Sequence, residues 1–177
     1  MRRTNLPKWT LFVALAVSAV GSPLNPVSWS GPTAPLQAPP GGTALLHLRA
    51  AIEDGYHLYS LTTPPGGPIR TRIRVSASPG IVAAAAYQRK PASMLDPTFQ
   101  IKVETFSGVT DFLIPFKLAP SLSEGAHRIE ITVRYQACSD ELCLAPVERV
   151  VQAIVMARHG ASSAGIPAGY QQAEVLP

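Results

Sequence analysis

The sequence predicts an all-β fold, an immunoglobulin-like antiparallel β-sandwich, with a barrel as the alternative closure. Three observations carry that expectation. Seven or eight short runs alternate apolar and polar residues or are rich in β-branched and aromatic ones. Turn residues separate them at short intervals. No long helical periodicity is present, and 18 prolines in 177 residues would break long helices. A chain of this length, 46% hydrophobic and 15% charged, can bury the core of one domain and is too apolar to be largely disordered.

Taken in order, residues 1–21 read as a secretory signal. Arg2, Arg3 and Lys8 form a basic start, Trp9 to Val20 an apolar run, and Ala19-Val20-Gly21 a small-residue cleavage site. The apolar run is shorter than the roughly 20 residues a spanning helix needs, so no integral membrane segment is expected after cleavage. Losing these three cations and no acid reduces the formal charge from +4 to +1. A basic face for nucleic acid is therefore not supported, and an exported, periplasmic location is expected. Residues 22–38 hold Pro23, Pro26, Pro32 and Pro35, and read as an extended linker. The folded unit is expected over residues 39–157.

Its first strand is Thr43 to Glu53, with Leu46, Leu48, Ala50 and Ile52 on one face. The Asp54-Gly55 turn leads into a short aromatic strand, Tyr56 to Ser60. Pro64-Pro65-Gly66-Gly67-Pro68 must be a loop. Ile69 to Val75 alternates, placing Arg70, Arg72 and Arg74 on a solvated face. Ile81 to Tyr87, Gln100 to Phe106, Thr110 to Leu118, His127 to Ala137 and Leu144 to Val155 complete the set. Residues 158–177, rich in Ala, Ser and Gly, read as a disordered tail.

The residues that can carry chemistry are Cys138 and Cys143, spaced C-x4-C across a tight connection between two strands. Outside the cytosol such a pair is free to form a disulfide. Three readings stand at this level. A structural bridge would close a loop of about six residues, for which chain entropy gives about 2 kcal/mol. A short, exposed bridge is also the labile kind that exchanges. Zinc would need two more ligands, and His47, His57, His127 and His159 have no ligand spacing to the pair, so no metal or other cofactor is expected. Asp140 and Glu141 lie between the thiols and would raise their pKa, with no Lys or Arg to offset them. A redox pair of this kind is a poor nucleophile and a better acceptor for an incoming thiolate.

The segment Tyr135-Gln136-Ala137-Cys138 through Cys143-Leu144-Ala145-Pro146 resembles the Y-Q-[GA]-C-…-C-x-P-P segment of the N-terminal periplasmic domain of the thiol:disulfide interchange family DsbD. Asp54-Gly55-Tyr56-His57-Leu58-Tyr59-Ser60 is similar to that family's D-G-[WY]-x-[LI]-Y segment, and Asp96-Pro97-Thr98-Phe99 with the strand after it resembles its cap region. The matches run in the same order over about Pro39 to Val155. The chain departs from the pattern in having Ala145-Pro146 where Pro-Pro is frequent, and in a spacing one residue shorter than in some members. The resemblance implies an immunoglobulin-like fold and a redox role for Cys138 and Cys143. Cys143 would form the mixed disulfide and Cys138 would resolve it. Phe99 would be the cap aromatic, and His57, Tyr59 and Tyr56 would line the site. The implied partners are thioredoxin-like periplasmic oxidoreductases or a membrane electron-transfer protein. From the residues alone, a non-catalytic periplasmic adaptor with a structural bridge remains the other reading. Phe99, Tyr56 and Tyr59 are then core aromatics and His57 a strand histidine bonded to backbone.

Overall fold

The computed structural model describes residues 25–96 and 99–176, and they form fourteen strands in three sheets. The signal expected over residues 1–21 lies outside the described residues. The first sheet is built around β3 (Thr43–Ile52) and β10 (Val109–Leu118), paired antiparallel over their whole length. β1 (Val27–Ser30) adds to β3, while β6 (Ile81–Ala83), β7 (Ala85–Arg89) and β14 (Tyr170–Val175) extend the other side. The second sheet runs β2 (Leu36–Ala38), β13 (Val147–Ala157), β11 (Gly125–Tyr135), β5 (Arg72–Ala77). All its pairs are antiparallel except β2 with β13. A smaller third sheet runs β12 (Ala137–Cys138), β4 (His57–Tyr59), β9 (Lys102–Phe106), β8 (Ala92–Leu95).

Alternation makes the two large sheets a sandwich. Leu46, Leu48 and Ala50 of β3, and Phe112, Ile114 and Phe116 of β10, turn inward on one side. Ile129, Ile131 and Val133 of β11, with Val151, Ala153 and Val155 of β13, meet them from the other side in one continuous core. Each buried Leu, Ile, Val or Phe among them contributes about 1.5–3 kcal/mol. Pro115 fits inside β10 because it lies opposite the break between β6 and β7, where the ladder is interrupted. Gly55 takes φ +81° in the turn closed by Tyr56 N–H on the Glu53 carbonyl at 3.1 Å, a conformation a side chain would strain.

Two expectations about the ends of the domain need correction. Residues 22–38 are not simply a linker. β1 and β2 pair with β3 and β13, and Val27 and Ala38 are fully buried. Trp29 stacks at 5.4 Å on Tyr135 and 5.7 Å on Phe112, and the Tyr135 hydroxyl donates to Asn25 Oδ1 at 2.7 Å. Prolines delimit these strands without entering them, and both strands lie at sheet edges, where proline-bounded strands are tolerated. Residues 158–177 are not a disordered tail either. β14 pairs with β7, Leu176 enters the core, and Glu174 Oε2 accepts the Ile73 N–H of β5 at 3.4 Å.

Candidate functional site

The site sits where the second sheet hands the chain to the third. β11 pairs with β13 up to Tyr135 opposite Val147. Gln136 then breaks the ladder. Its Oε1 accepts the Ile69 N–H at 2.8 Å and its Nε2 donates to the Leu144 carbonyl at 3.0 Å. Beyond that clamp the chain re-pairs as β12, with Ala137 opposite Leu58 and Cys138 opposite His57 of β4. Ser139 N–H to the Leu142 carbonyl (2.8 Å) and Leu144 N–H to the Ala137 carbonyl (2.9 Å) flank the cysteines. This makes Cys138 and Cys143 a non-hydrogen-bonded cross-strand pair, the position where side chains approach most closely. Their Cα atoms are 4.0 Å apart and the sulfurs are bonded. Ser139 Oγ accepts the N–H groups of Glu141 and Leu142 at 3.2 Å each, closing the turn that carries Asp140 and Glu141.

The two sulfurs are not equivalent. Cys138 is 1% exposed and packs with Tyr59, Val103 and Ile101 in a small cluster separate from the sandwich core. Cys143 is exposed. The bridge thus lies at the end of the sandwich with one cysteine buried and the other exposed, rather than between the sheets as a staple.

Alternation on β4 sends Leu58 into the main core, while His57 and Tyr59 turn to the bridge. They line one cavity of about 400 Å³ with Cys138, Cys143, Phe99, Met94, Asp96 and Val103. Asp96 is bonded to Phe99, Gln100 and Ile101. Its carboxylate accepts the Phe99 N–H at 3.0 Å, its carbonyl the Gln100 N–H at 2.9 Å, and its own N–H donates to the Ile101 carbonyl at 2.8 Å. Gln100 takes φ +55° to close this loop. Phe99 is 40% exposed, over Gly67, where an added Cβ would meet the ring at 3.3 Å and Ile101 at 2.6 Å. Gly67 is therefore the floor on which Phe99 and Ile101 rest.

A hydrogen-bond chain runs through the site. The Tyr59 hydroxyl bonds to the Asp96 carboxylate, and the His57 Nε2 lies 3.1 Å from the same hydroxyl. With the phenol hydrogen given to the carboxylate, His57 supplies the N–H and Tyr59 oxygen accepts it. Burial and Asp96 together push the Tyr59 phenol up to about 12. Burial also holds His57 below its ordinary 6.5, against the opposing pull of Asp140 and Asp96.

Of the residues singled out in the sequence, Cys138, Cys143, Phe99, His57 and Tyr59 come together here. Tyr56 does not. It packs against the sandwich core and lines a neighbouring cavity with Glu53, Asp54, Gly55 and Asp140, because it precedes β4 two residues before Leu58 and so shares the core-facing side of Leu58 rather than that of His57 and Tyr59. Met94, Val103 and Leu142 were not anticipated. Met94 lies on β8, every residue of which is exposed, so no hydrophobic alternation announces that strand. Asp96 and Gln136 stood inside recognisable segments, but only the tertiary arrangement reveals their clamping roles.

An immunoglobulin-like sandwich with a half-exposed disulfide in a turn at its end defines a disulfide-bearing domain of the thiol–disulfide interchange class. The chain belongs to the family described as thiol:disulfide interchange protein DsbD, N-terminal, whose model matches residues 30–154. No curated relative matches the chain. Among solved structures, the N-terminal periplasmic domain of ScsB from Proteus mirabilis is similar at 14% identity and TM-score 0.49, over 72% of this chain and 44% of that one. The reduced N-terminal domain of DsbD from Neisseria meningitidis is similar at 15% identity and TM-score 0.45, over 78% of this chain and 86% of that one. The chain thus spans less than half of the ScsB domain structure.

Proposed function

We propose that this chain is an exported, periplasmic relay that passes electrons between thioredoxin-like oxidoreductases, or a membrane electron-transfer protein, through Cys138 and Cys143. The observation that carries the proposal is the asymmetry of the bridge, with Cys138 buried and Cys143 exposed. An incoming thiolate approaches the exposed Cys143 more readily than the buried Cys138. In the accepting direction a partner thiolate attacks Cys143 Sγ, a partner–Cys143 disulfide forms, the Cys138–Cys143 bond breaks, and Cys138 leaves as a thiolate that takes up a proton. The partner's second thiolate then attacks its own sulfur in the mixed disulfide and releases Cys143. The partner ends as a disulfide and this domain as a dithiol, two electrons and two protons richer. In the donating direction Cys143 attacks a client disulfide, and Cys138 resolves the product by attacking Cys143.

Phe99 serves as the cap in this reading. Its ring stands over Gly67, on a segment held by the Asp96 carboxylate and by Asp96 backbone bonds, and must shift when a partner docks. His57 and Tyr59 hold that loop and shape the pocket wall beside Cys138.

The deciding experiment uses Cys138→Ala, which leaves Cys143 free and removes the resolving thiol. Expressed in the cell envelope of the source organism, it should accumulate a mixed disulfide with a thioredoxin-like protein. That species should vanish when Cys143 is also replaced. Absence of any captured thiol protein would overturn the relay. A reduction potential below about −300 mV would instead mark a structural bridge.

A further inference from the structure

The mouth of the disulfide cavity carries a single sign of charge. Asp96, Asp140 and Glu141 line the cavity that holds the cysteines. The adjoining cavity, which shares His57 and Asp140, adds Glu53 and Asp54. Among the described residues no Lys or Arg lines either cavity. Lys102 is next to Val103 on β9, but strand alternation sends it to the opposite face. The ion pairs Arg49–Asp111, Arg70–Glu174 and Arg74–Glu148 lie elsewhere and do not involve Asp140, Glu141, Glu53 or Asp54. This is a local field, since the chain without its expected signal is close to neutral.

Within the acidic rim lies apolar surface. Met94, Phe99 and Leu142 are 46%, 40% and 49% exposed and line the cavity with Cys143. Large apolar side chains left open around an accessible sulfur suit a protein contact. Their carboxylate border selects its sign.

We propose that this surface selects its redox partners by charge: the occupant is a thiol protein whose cysteine stands on an apolar tip flanked by Lys or Arg. The inference rests on the exchange reading above. A cationic flank approaches down the potential of Asp140 and Glu141, while an anionic one is repelled before its thiolate reaches Cys143. At about 10 mM ionic strength the screening length is roughly 30 Å, so the whole rim acts on an approaching partner. At about 1 M it is roughly 3 Å and the rim is silent.

The test uses the intact oxidised protein and three blocked pentapeptides, each with a single cysteine flanked by lysines, serines or glutamates. Each peptide thiolate attacks Cys143, Cys138 leaves, and the mixed disulfide is counted by mass. Rates are expressed per thiolate and divided by the rate of the same peptide on neutral hydroxyethyl disulfide, which removes intrinsic nucleophilicity. Shielding by Phe99 is common to all three peptides and cancels in their ratio. The lysine peptide should exceed the glutamate peptide by about tenfold or more at low salt, with the serine peptide between them, and the ratio should approach unity near 1 M. Asp140→Asn with Glu141→Gln should at least halve the low-salt ratio, because both lie on an exposed turn held by Ser139 and backbone bonds. A ratio near unity at low salt, or one unmoved by salt and by the double substitution, overturns the inference. If Cys138→Ala still captures a partner, that failure concerns charge selection alone. If capture fails as well, the exchange reading falls with it.

Discussion

Tyr59 joins the bridge wall to the Phe99 segment through one hydroxyl. It bonds to Asp96, which also accepts the Phe99 N–H, and it lies 3.1 Å from His57 Nε2. Tyr59→Phe keeps the ring in its cluster and removes only the oxygen, at a cost of about 1 kcal/mol. Released from Tyr59, the Phe99 loop should open more often, so reduction of the disulfide by a neutral thiol should accelerate. An unchanged rate would show that backbone bonds alone hold the loop. Alkaline titration gives a second measure. The folded phenol ionises near 12 and the unfolded one near 10, so the folded chain keeps a proton that the unfolded chain loses. Its stability contribution is complete below pH 10 and is lost as pH rises toward 12. Tyr59→Phe should remove that slope, and should also remove one late-ionising phenol from the ultraviolet titration. His57 acts at the other end of the scale. Its folded pKa lies below 6.5, so as pH falls past 6.5 the unfolded chain binds a proton that the folded chain refuses. Stability is fully present above 6.5 and declines below it. Unfolding measured at pH 7.5 and 5.5 should differ less in His57→Gln than in the parent, and equal differences would mean that burial does not hold the imidazole neutral.

Strands whose pattern is local could be read in the sequence, and strands defined by what they pair with could not. β3 and β11 announce themselves because every second residue is apolar and faces one core. The cysteine turn was legible for the same reason, since its geometry is set locally, between Ala137 and Leu144, by Ser139 and two backbone bonds. β1, β2 and β14 are edge strands, and short segments bounded by proline or glycine look like loops until a partner strand is supplied. β14 has the least strand-like composition of the three, with Gln171, Gln172, Ala173 and Glu174 in its middle. What secures it is tertiary: Leu176 in the core, and a carboxylate on a β5 N–H. Leu176→Ala should therefore cost about 2–3 kcal/mol in denaturant unfolding with an unchanged m-value. A loss under about 0.5 kcal/mol would mean that β14 does not belong to the cooperative unit.

At the scale of the molecule, the sandwich core and the redox cluster are separate. The core runs from Val27 to Leu176 through both large sheets and contains neither sulfur, whereas Cys138 clusters with Tyr59, Val103 and Ile101. This separation is what a reversible disulfide requires, because the dithiol form must stay folded to donate its electrons. The bridge closes a loop of about six residues, so its entropic contribution is about 2 kcal/mol against the many buried side chains of the sandwich. Gln136, the Ser139 turn and β12 pairing to β4 are all independent of the sulfur bond. Reduction should then lower Tm by only about 4–8 °C and leave the far-ultraviolet β signature intact. Amide exchange should localise the change. Protection in β3, β10, β11 and β13 should hold, while residues 57–59, 99–106 and 137–144 should exchange faster. Global loss of protection on reduction would make the bridge a staple of the fold and remove the basis for a relay. A confined response would identify a rigid sandwich presenting a small, independently switchable end, in which the energy of exchanging one disulfide is kept apart from the energy of remaining folded.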